Sequence, residues 1–190
     1  DQVRAQLILN ESPFYPEGGG QIGDVGSVEA ADGSFLFRVE DTQRVGEVVV
    51  HVGALERGLP FVGEERSVVA RVDGETRAST KRNHTGTHLL HKALREVLGD
   101  HVVQQGSYVG PDRLRFDFAH PQGMTPEEID EVEQRVNANV IDNAPVETTL
   151  EELDAAKERG VMALFGEKYD SEVRVVSVGD WSMELCGGTH

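Results

Sequence analysis

The feature that most constrains this chain is a pair of short motifs about a hundred residues apart, His84-Thr85-Gly86-Thr87-His88 and Cys186-Gly187-Gly188-Thr189-His190. Each presents two metal-ligating side chains spaced i, i+4. Together they supply three imidazoles and one thiolate, a full tetrahedral set for zinc. Cys186 is the single cysteine of the chain. An isolated His-x-x-x-His arises by chance often enough to carry little weight. A lone cysteine placed four residues before a histidine, across a pair of turn-forming glycines, supplies the missing half. His84, His88, Cys186 and His190 are therefore the expected ligands of one Zn2+ ion per chain. A helical first motif aims two imidazoles at one point, and a glycine turn aims the thiolate and the third imidazole at the same point. His51, His101 and His120 need no function on this reading.

The remaining pattern is that of an α+β protein in two parts. Residues 1–75 read as short strands separated by glycine turns: Val3 to Leu9, Ser34 to Glu40, Glu47 to Val52 and Arg66 to Val72. That rhythm predicts a small β-barrel or sandwich. From residue 76 the hydrophobic period switches. Leu89, Leu90, Ala93, Leu94, Val97 and Leu98 mark one face of a helix over 76–98, with a cap expected within Arg77-Ala78-Ser79-Thr80 and Gly99 as its stop. His84, His88 and His91 share one side of it. A strand pair follows over Val102 to Val109 and Arg113 to Phe118. Thr125-Pro126-Glu127-Glu128 is a capping box that opens a second helix. Glu147 to Leu150 reads as extended, Glu151 to Arg159 as a short helix, Met162 to Phe165 as a further turn of helix, and Val173 to Val178 and Ser182 to Leu185 as strands, the last delivering Cys186. Residues 76–190 thus read as an antiparallel sheet with helices on one face, carrying both ligand motifs.

Composition narrows the function classes. With 38% hydrophobic residues over 190 positions the chain can bury a real core, and no stretch approaches the length of a membrane span. A single cysteine fits a reducing, cytoplasmic setting. The net charge of −16 argues against a broad nucleic-acid surface, because such binding rests on phosphate neutralisation. It leaves room for a nucleic acid handled by one end. A zinc peptidase is disfavoured: its helix would carry a glutamate general base directly after the first histidine, where this chain has Thr85. Thr85 and Thr87 offer hydroxyls suited to hydrogen-bonding a small polar substrate. The stretch Ser12 to Gly26 holds five glycines between Gly18 and Gly26, more than a turn requires. Such a run allows backbone to approach a ligand or another backbone closely.

Taken together, these motifs resemble the editing domain of alanyl-tRNA synthetase, a module shared with free-standing AlaX-type trans-editing proteins in the threonyl- and alanyl-tRNA synthetase second-additional-domain superfamily. The resemblance rests on Phe14-Tyr15-Pro16-Glu17-Gly18-Gly19-Gly20-Gln21, Asn83 to His91, Arg113-Leu114-Arg115-Phe116-Asp117-Phe118, Ala163 to Tyr169 and Glu184-Leu185-Cys186-Gly187-Gly188-Thr189-His190. It implies a hydrolase that removes serine, and also glycine, from the 3′ end of tRNA for alanine by zinc-assisted ester hydrolysis, as an excised domain working with the rest of the synthetase in cis. A synthetic pocket for alanine rejects glycine and serine poorly, so a second site must destroy the errors. The same resemblance matches Gln104 to a glutamine of the editing pocket. It associates a threonine of the first motif, Thr87 ahead of Thr85, and the glycine-rich loop with recognition of the serine hydroxyl. Gly18, Gly19, Gly20, Gln21 and Asp24 are the loop positions expected to contact substrate. His91 stands either behind the ligands or facing solvent. The alternatives are a free-standing trans-editing protein and a non-catalytic, zinc-stabilised module that grips a tRNA end.

Overall fold

The computed structural model describes residues 3–58, 66–162 and 170–190. The turn of helix read over Met162 to Phe165 lies beyond Met162 outside the described residues, as does the stretch Ala163 to Tyr169. The chain divides into two compact units, Asp1–Thr80 and Lys81–His190.

The first unit is a five-stranded antiparallel sheet formed by β1 (Val3–Ile8), β2 (Gly26–Ala30), β3 (Leu36–Val45), β4 (Val48–Arg57) and β5 (Val68–Val72), in the order β1-β4-β3-β2-β5. This corrects the expected barrel. Among the described residues β1 pairs with β4 and β5 with β2, and no ladder joins the two outer strands, so the sheet is open. Val28, Ala30, Phe35, Phe37 and Val39 bury themselves with Phe14, and Leu7, Leu55, Val68 and Ala70 pack around them, so all five strands share one core. A register shift between Val39 and Asp41 interrupts the ladder between β3 and β4. His51 is fully buried at the wall of this unit. Its Nδ1 lies 2.9 Å from the Leu7 carbonyl and its Nε2 2.7 Å from Ser12 Oγ, so both ring nitrogens are satisfied structurally.

The second unit contains the greater part of α1 (Gly74–Leu98), then β6 (Gln104–Val109), β7 (Leu114–Phe118), α2 (Pro126–Asp142), β8 (Val146–Glu152), α3 (Leu153–Glu158), β9 (Glu172–Val178) and β10 (Ser182–Leu185). Helix α1 starts two residues earlier than its apolar pattern suggests. Asp73 Oδ1 accepts from the Thr76 amide at 2.8 Å, so the cap is Asp73 rather than a residue of Arg77 to Thr80. The capping box of α2 is formed as read: Thr125 Oγ1 accepts from Glu128 N, and the Glu128 carboxylate accepts from Thr125 N at 2.8 Å. β6 and β7 form a two-stranded ribbon, and β10-β9-β8 a three-stranded antiparallel sheet. Ala93 and Leu94 of α1, Val132 of α2, Val102, Phe116 and Phe118 share one apolar cluster. Ala156 of α3 packs with Val161, Val173, Val175 and Leu185 in another. The mixed α+β class therefore holds, with two small sheets where one was expected.

Glycine use in the first unit gives a direct test of the fold. A Cβ on Gly23 would fall onto the backbone carbonyl and amide of Thr42, whereas one on Gly19 would meet nothing within 4 Å and face only the strain of φ +59°. Gly23→Ala should therefore destabilise the protein by about 1–3 kcal/mol, the usual cost of forcing extra atoms into a packed site. Gly19→Ala should cost only about 1 kcal/mol. Urea unfolding of the two variants checks the order.

Candidate metal centre

The site begins with the two elements that carry the ligand motifs. α1 places His84 and His88 one turn apart on the same face, both buried. β10 ends at Leu185, and the Cys186 amide continues its pairing with a 3.1 Å hydrogen bond to the Arg174 carbonyl on β9. Cys186 is thereby held in register just past the strand, before the glycines turn the chain toward His190. Arg174 braces this turn from below. Its Nη1 donates to the carbonyl oxygens of Cys186 at 2.9 Å and Gly188 at 2.5 Å. The Gly188 amide in turn points at Cys186 Sγ at 3.3 Å.

The result is convergence of all four side chains. One ligand atom from each of His84, His88, Cys186 and His190 lies within 4.8 Å of the others. Cys186 Sγ is 3.4 Å from His84 Nε2 and 3.3 Å from His190 Nε2. Donors arranged tetrahedrally around a zinc-sized ion, at about 2.0–2.3 Å from it, stand about 3.3–3.6 Å apart. The sulfur-to-nitrogen edges match that spacing, and the widest separation exceeds it by roughly one ångström. This donor set can bind a metal ion.

Burial sets the charge state of the imidazoles. Desolvation, aided by His88 and Arg174 nearby, lowers the His84 pKa to about 3. Desolvation, with His88 and His84 next in importance, lowers that of His190 to about 2. His88 is lowered mainly by desolvation too, against an opposing pull from Glu184. All three are therefore neutral at pH 7, the form in which imidazole ligates.

Around the ligands stand residues with distinct polar commitments. Thr85 Oγ1 lies 3.1 Å from His190 Nδ1. Thr87 is buried and donates its hydroxyl hydrogen to the Asn83 carbonyl at 2.9 Å. Asn83 itself donates to the Gly110 carbonyl at 2.7 Å, tying α1 to the turn between β6 and β7. His91 is buried, and its Nδ1 lies 3.0 Å from Glu184 Oε1. The other oxygen of that carboxylate faces His88 Nδ1 at 3.5 Å. Glu184 and Arg174 were not singled out from the sequence. The one available signal was a charged residue flanked by apolar ones, Val173 and Val175 beside Arg174 and Met183 and Leu185 beside Glu184, and alternation alone would give each a solvent-facing place. Gln104 is half-buried at the start of β6 and donates from Nε2 to Ser107 Oγ at 3.2 Å, while Gln105 is exposed beside a register shift.

The glycine-rich loop belongs to the first unit and has its own internal order. Gly18 and Gln21 bridge one another through both backbone amides, at 3.0 Å each. Tyr15 Oη donates to the Gly18 carbonyl at 3.0 Å, and Gly19 and Gly20 take positive φ at the tip. Gln21 is fully buried. The buried Asp24 carboxylate accepts from the Tyr15 amide and from Arg77, whose Nη2 also donates to the Pro13 carbonyl. Asp24 thus anchors the loop to the first turns of α1.

The depressed imidazole values imply an acid-sensitive metal-free protein. An imidazole has a pKa near 6.5 when the chain is unfolded, and these three lie below it when folded. Below pH ~6.5 the unfolded chain therefore binds protons that the folded chain refuses. The stability contributed by the neutral cluster is present above pH ~6.5 and is lost as pH falls toward 3. Denaturant unfolding of the metal-free protein should show a midpoint that drops between pH 7 and pH 5. Substituting His84 and His190 together by Asn should flatten that dependence.

Sequence comparison adds to this geometry. Residues 1–76 match the family described as tRNA synthetases class II (A), and residues 173–190 match the Threonyl and Alanyl tRNA synthetase second additional domain. The first match covers the open sheet and its glycine-rich loop. The second covers β9, β10 and the Cys186–His190 turn. Both families are named for enzymes that act with tRNA. The chain is thus similar to synthetase-associated domains at both ends, over residues 1–76 and 173–190.

Proposed function

We propose that this protein is an aminoacyl-tRNA deacylase that hydrolyses the ester of serine, and of glycine, on tRNA for alanine, as the editing domain of an alanine–tRNA ligase, with one zinc ion held by His84, His88, Cys186 and His190. The observation that carries the proposal is the convergence of those four side chains within 4.8 Å; the motif of Cys186 and His190 lies within the matched residues 173–190, and both motifs carry the resemblance. Zinc is favoured by three neutral imidazoles and a thiolate, a borderline-to-soft set of tetrahedral number. When bound, the ion supplies positive charge and Lewis acidity beside the scissile ester.

The chain's own residues supply orientation and selectivity. His84 and His190 present Nε2 toward the sulfur, so Nδ1 of His190 carries the hydrogen and Thr85 Oγ1 accepts it. Thr85 then retains its own hydrogen for a further acceptor, such as a serine hydroxyl or carbonyl oxygen. Thr87 has committed its hydrogen to Asn83 and offers lone pairs alone. Gln104 has one amide hydrogen on Ser107 and a second with its carbonyl for substrate. In the glycine loop, Gly18, Gly19 and Gly20 form the tip that we assign to substrate, while Gln21 and Asp24 hold its shape. Discrimination against alanine follows from hydrogen bonds that only the serine hydroxyl completes, about 1–3 kcal/mol for each buried group left unpaired.

Deacylation of Ser-tRNA for alanine tests this reading. The protein should release serine, spare alanine, and lose most activity on chelation or in His88→Ala. Thr85→Val and Gln104→Ala should each slow serine release by roughly 10–100-fold, the range of about 1–3 kcal/mol. A protein that binds the tRNA end without releasing serine is a binding module instead, and release that survives both His88→Ala and chelation removes the role given to zinc.

A further inference from the structure

One polar group deep in the second unit is not used by the reaction as described. Glu184 is 8% exposed, an unusual setting for a carboxylate, and it lies on β10 two residues before Cys186. Its Oε1 is 3.0 Å from His91 Nδ1, and its Oε2 is 3.5 Å from His88 Nδ1. The first contact is a formed hydrogen bond. The second is an ionic approach at the limit of one, and among the described residues His88 Nδ1 has no hydrogen-bond partner apart from it. His91 is 3% exposed, its ring rests against Phe116 at 4.9 Å between centroids, and its Nε2 has no partner. A carboxylate has acceptors only, so it can satisfy both imidazoles when each carries its hydrogen on Nδ1.

Resting on the metal-binding reading above, we infer that Glu184 is a positioning residue: its carboxylate bridges His88 and His91, fixes both rings in the Nδ1–H form, and so presents Nε2 of His88 to the metal while locking the strand that carries Cys186 against the helix that carries His84 and His88. A metal-bound imidazole that donates its other N–H to a carboxylate has a fixed tautomer and ring orientation and a more basic ligating nitrogen. Here the same carboxylate does a second thing. Through His91 it ties β10 to α1 one helical turn beyond the ligands, so the two ligand pairs are held in register by a contact that itself touches no metal. Glutamine in place of Glu184 could accept from one imidazole but would offer N–H to the other. That offer favours the opposite tautomer at one of the two rings and blocks Nε2 wherever it falls on His88.

Cobalt(II) is a direct probe. Titrated into the intact protein, it reports site geometry by its visible absorption and thiolate ligation by its near-ultraviolet charge-transfer band. Glu184→Gln should bind cobalt about 10–100-fold more weakly in chelator competition, the usual cost of losing such an outer partner, with an altered visible spectrum and a retained thiolate band. Long-range nitrogen–proton correlation spectra of the wild-type protein should show Nδ1–H on both His88 and His91 before any metal is added. This second measurement needs no variant to fold. Finding Nε2–H on His88 in the wild type overturns the inference. So does a Glu184→Gln protein whose unfolding midpoint drops while its cobalt affinity, spectrum and His88 tautomer stay those of the wild type. Failure of the wild type itself to take up cobalt would count instead against the metal-binding reading, and the tautomer measurement would still decide the role of Glu184.

Discussion

Three imidazoles and a thiol within 4.8 Å of one another, two of the imidazoles buried and the other two groups half-buried, form the constraint on which the second unit depends. Such a cluster is costly unless its donors are matched, because buried polar atoms forfeit their hydration. Desolvation keeps the imidazoles uncharged, so they do not repel one another as cations. The local architecture then follows from keeping the two ligand pairs in place. Asp73 caps α1 and fixes where its histidine face begins. The ladder between β9 and β10 fixes Cys186. Arg174, a cation beneath the turn, bonds two of its carbonyls and so holds the sulfur and the last imidazole on the same side.

The first unit solves a different problem. Its two outer strands do not pair with one another among the described residues, yet Phe14, Val28, Phe35 and Phe37 still share one core to which all five strands contribute. The glycine loop is ordered by its own bonds rather than by length or composition. Gly23 lets the chain lie against Thr42, and Asp24 gathers Tyr15 and Arg77 at one carboxylate. A buried carboxylate with a guanidinium and an amide is costly to break, because removing one partner leaves the other uncompensated.

What the sequence revealed depended on how local the determining physics was. The ligand set was legible because spacing and donor chemistry are carried by the residues themselves. The capping box at Thr125 was legible for the same reason: it closes within four residues. Strand β2 was not read, since Gly26–Ala30 begins inside a glycine run and shows little alternation; it became a central strand by pairing with β3 and β5. Barrel closure was misjudged because counting strands says nothing of whether the first and last meet, a question of long-range pairing. The partners of Asp24 and Glu184 were hidden likewise. Arg77 stands 53 positions from Asp24, and His91 stands 93 from Glu184. Nothing in either local sequence announces such a match.

Polar commitments, more than residue types, decide what a buried site has left to offer a substrate. Two threonines sit two positions apart between the same pair of histidines, and sequence reasoning had no ground to separate them beyond resemblance. Their neighbours separate them. An α-helix gives every residue an acceptor four positions back, and Thr87 uses it, bonding to Asn83 as helical threonines commonly do. Thr85 faces His190 instead, so when Nε2 of that ring ligates a metal its oxygen receives the Nδ1 hydrogen and its own remains to be given. The same reasoning sets His88 apart from His190, since the group it faces through Nδ1 is a carboxylate rather than a hydroxyl. A neutral hydroxyl orients a ring weakly. A buried carboxylate orients it strongly, because its interaction with an N–H is charge-assisted and poorly screened in a water-poor interior. The centre is therefore asymmetric. One ligand of the helix pair is held rigidly through Glu184, while His190 is held through a hydroxyl able to turn toward whatever enters beside it.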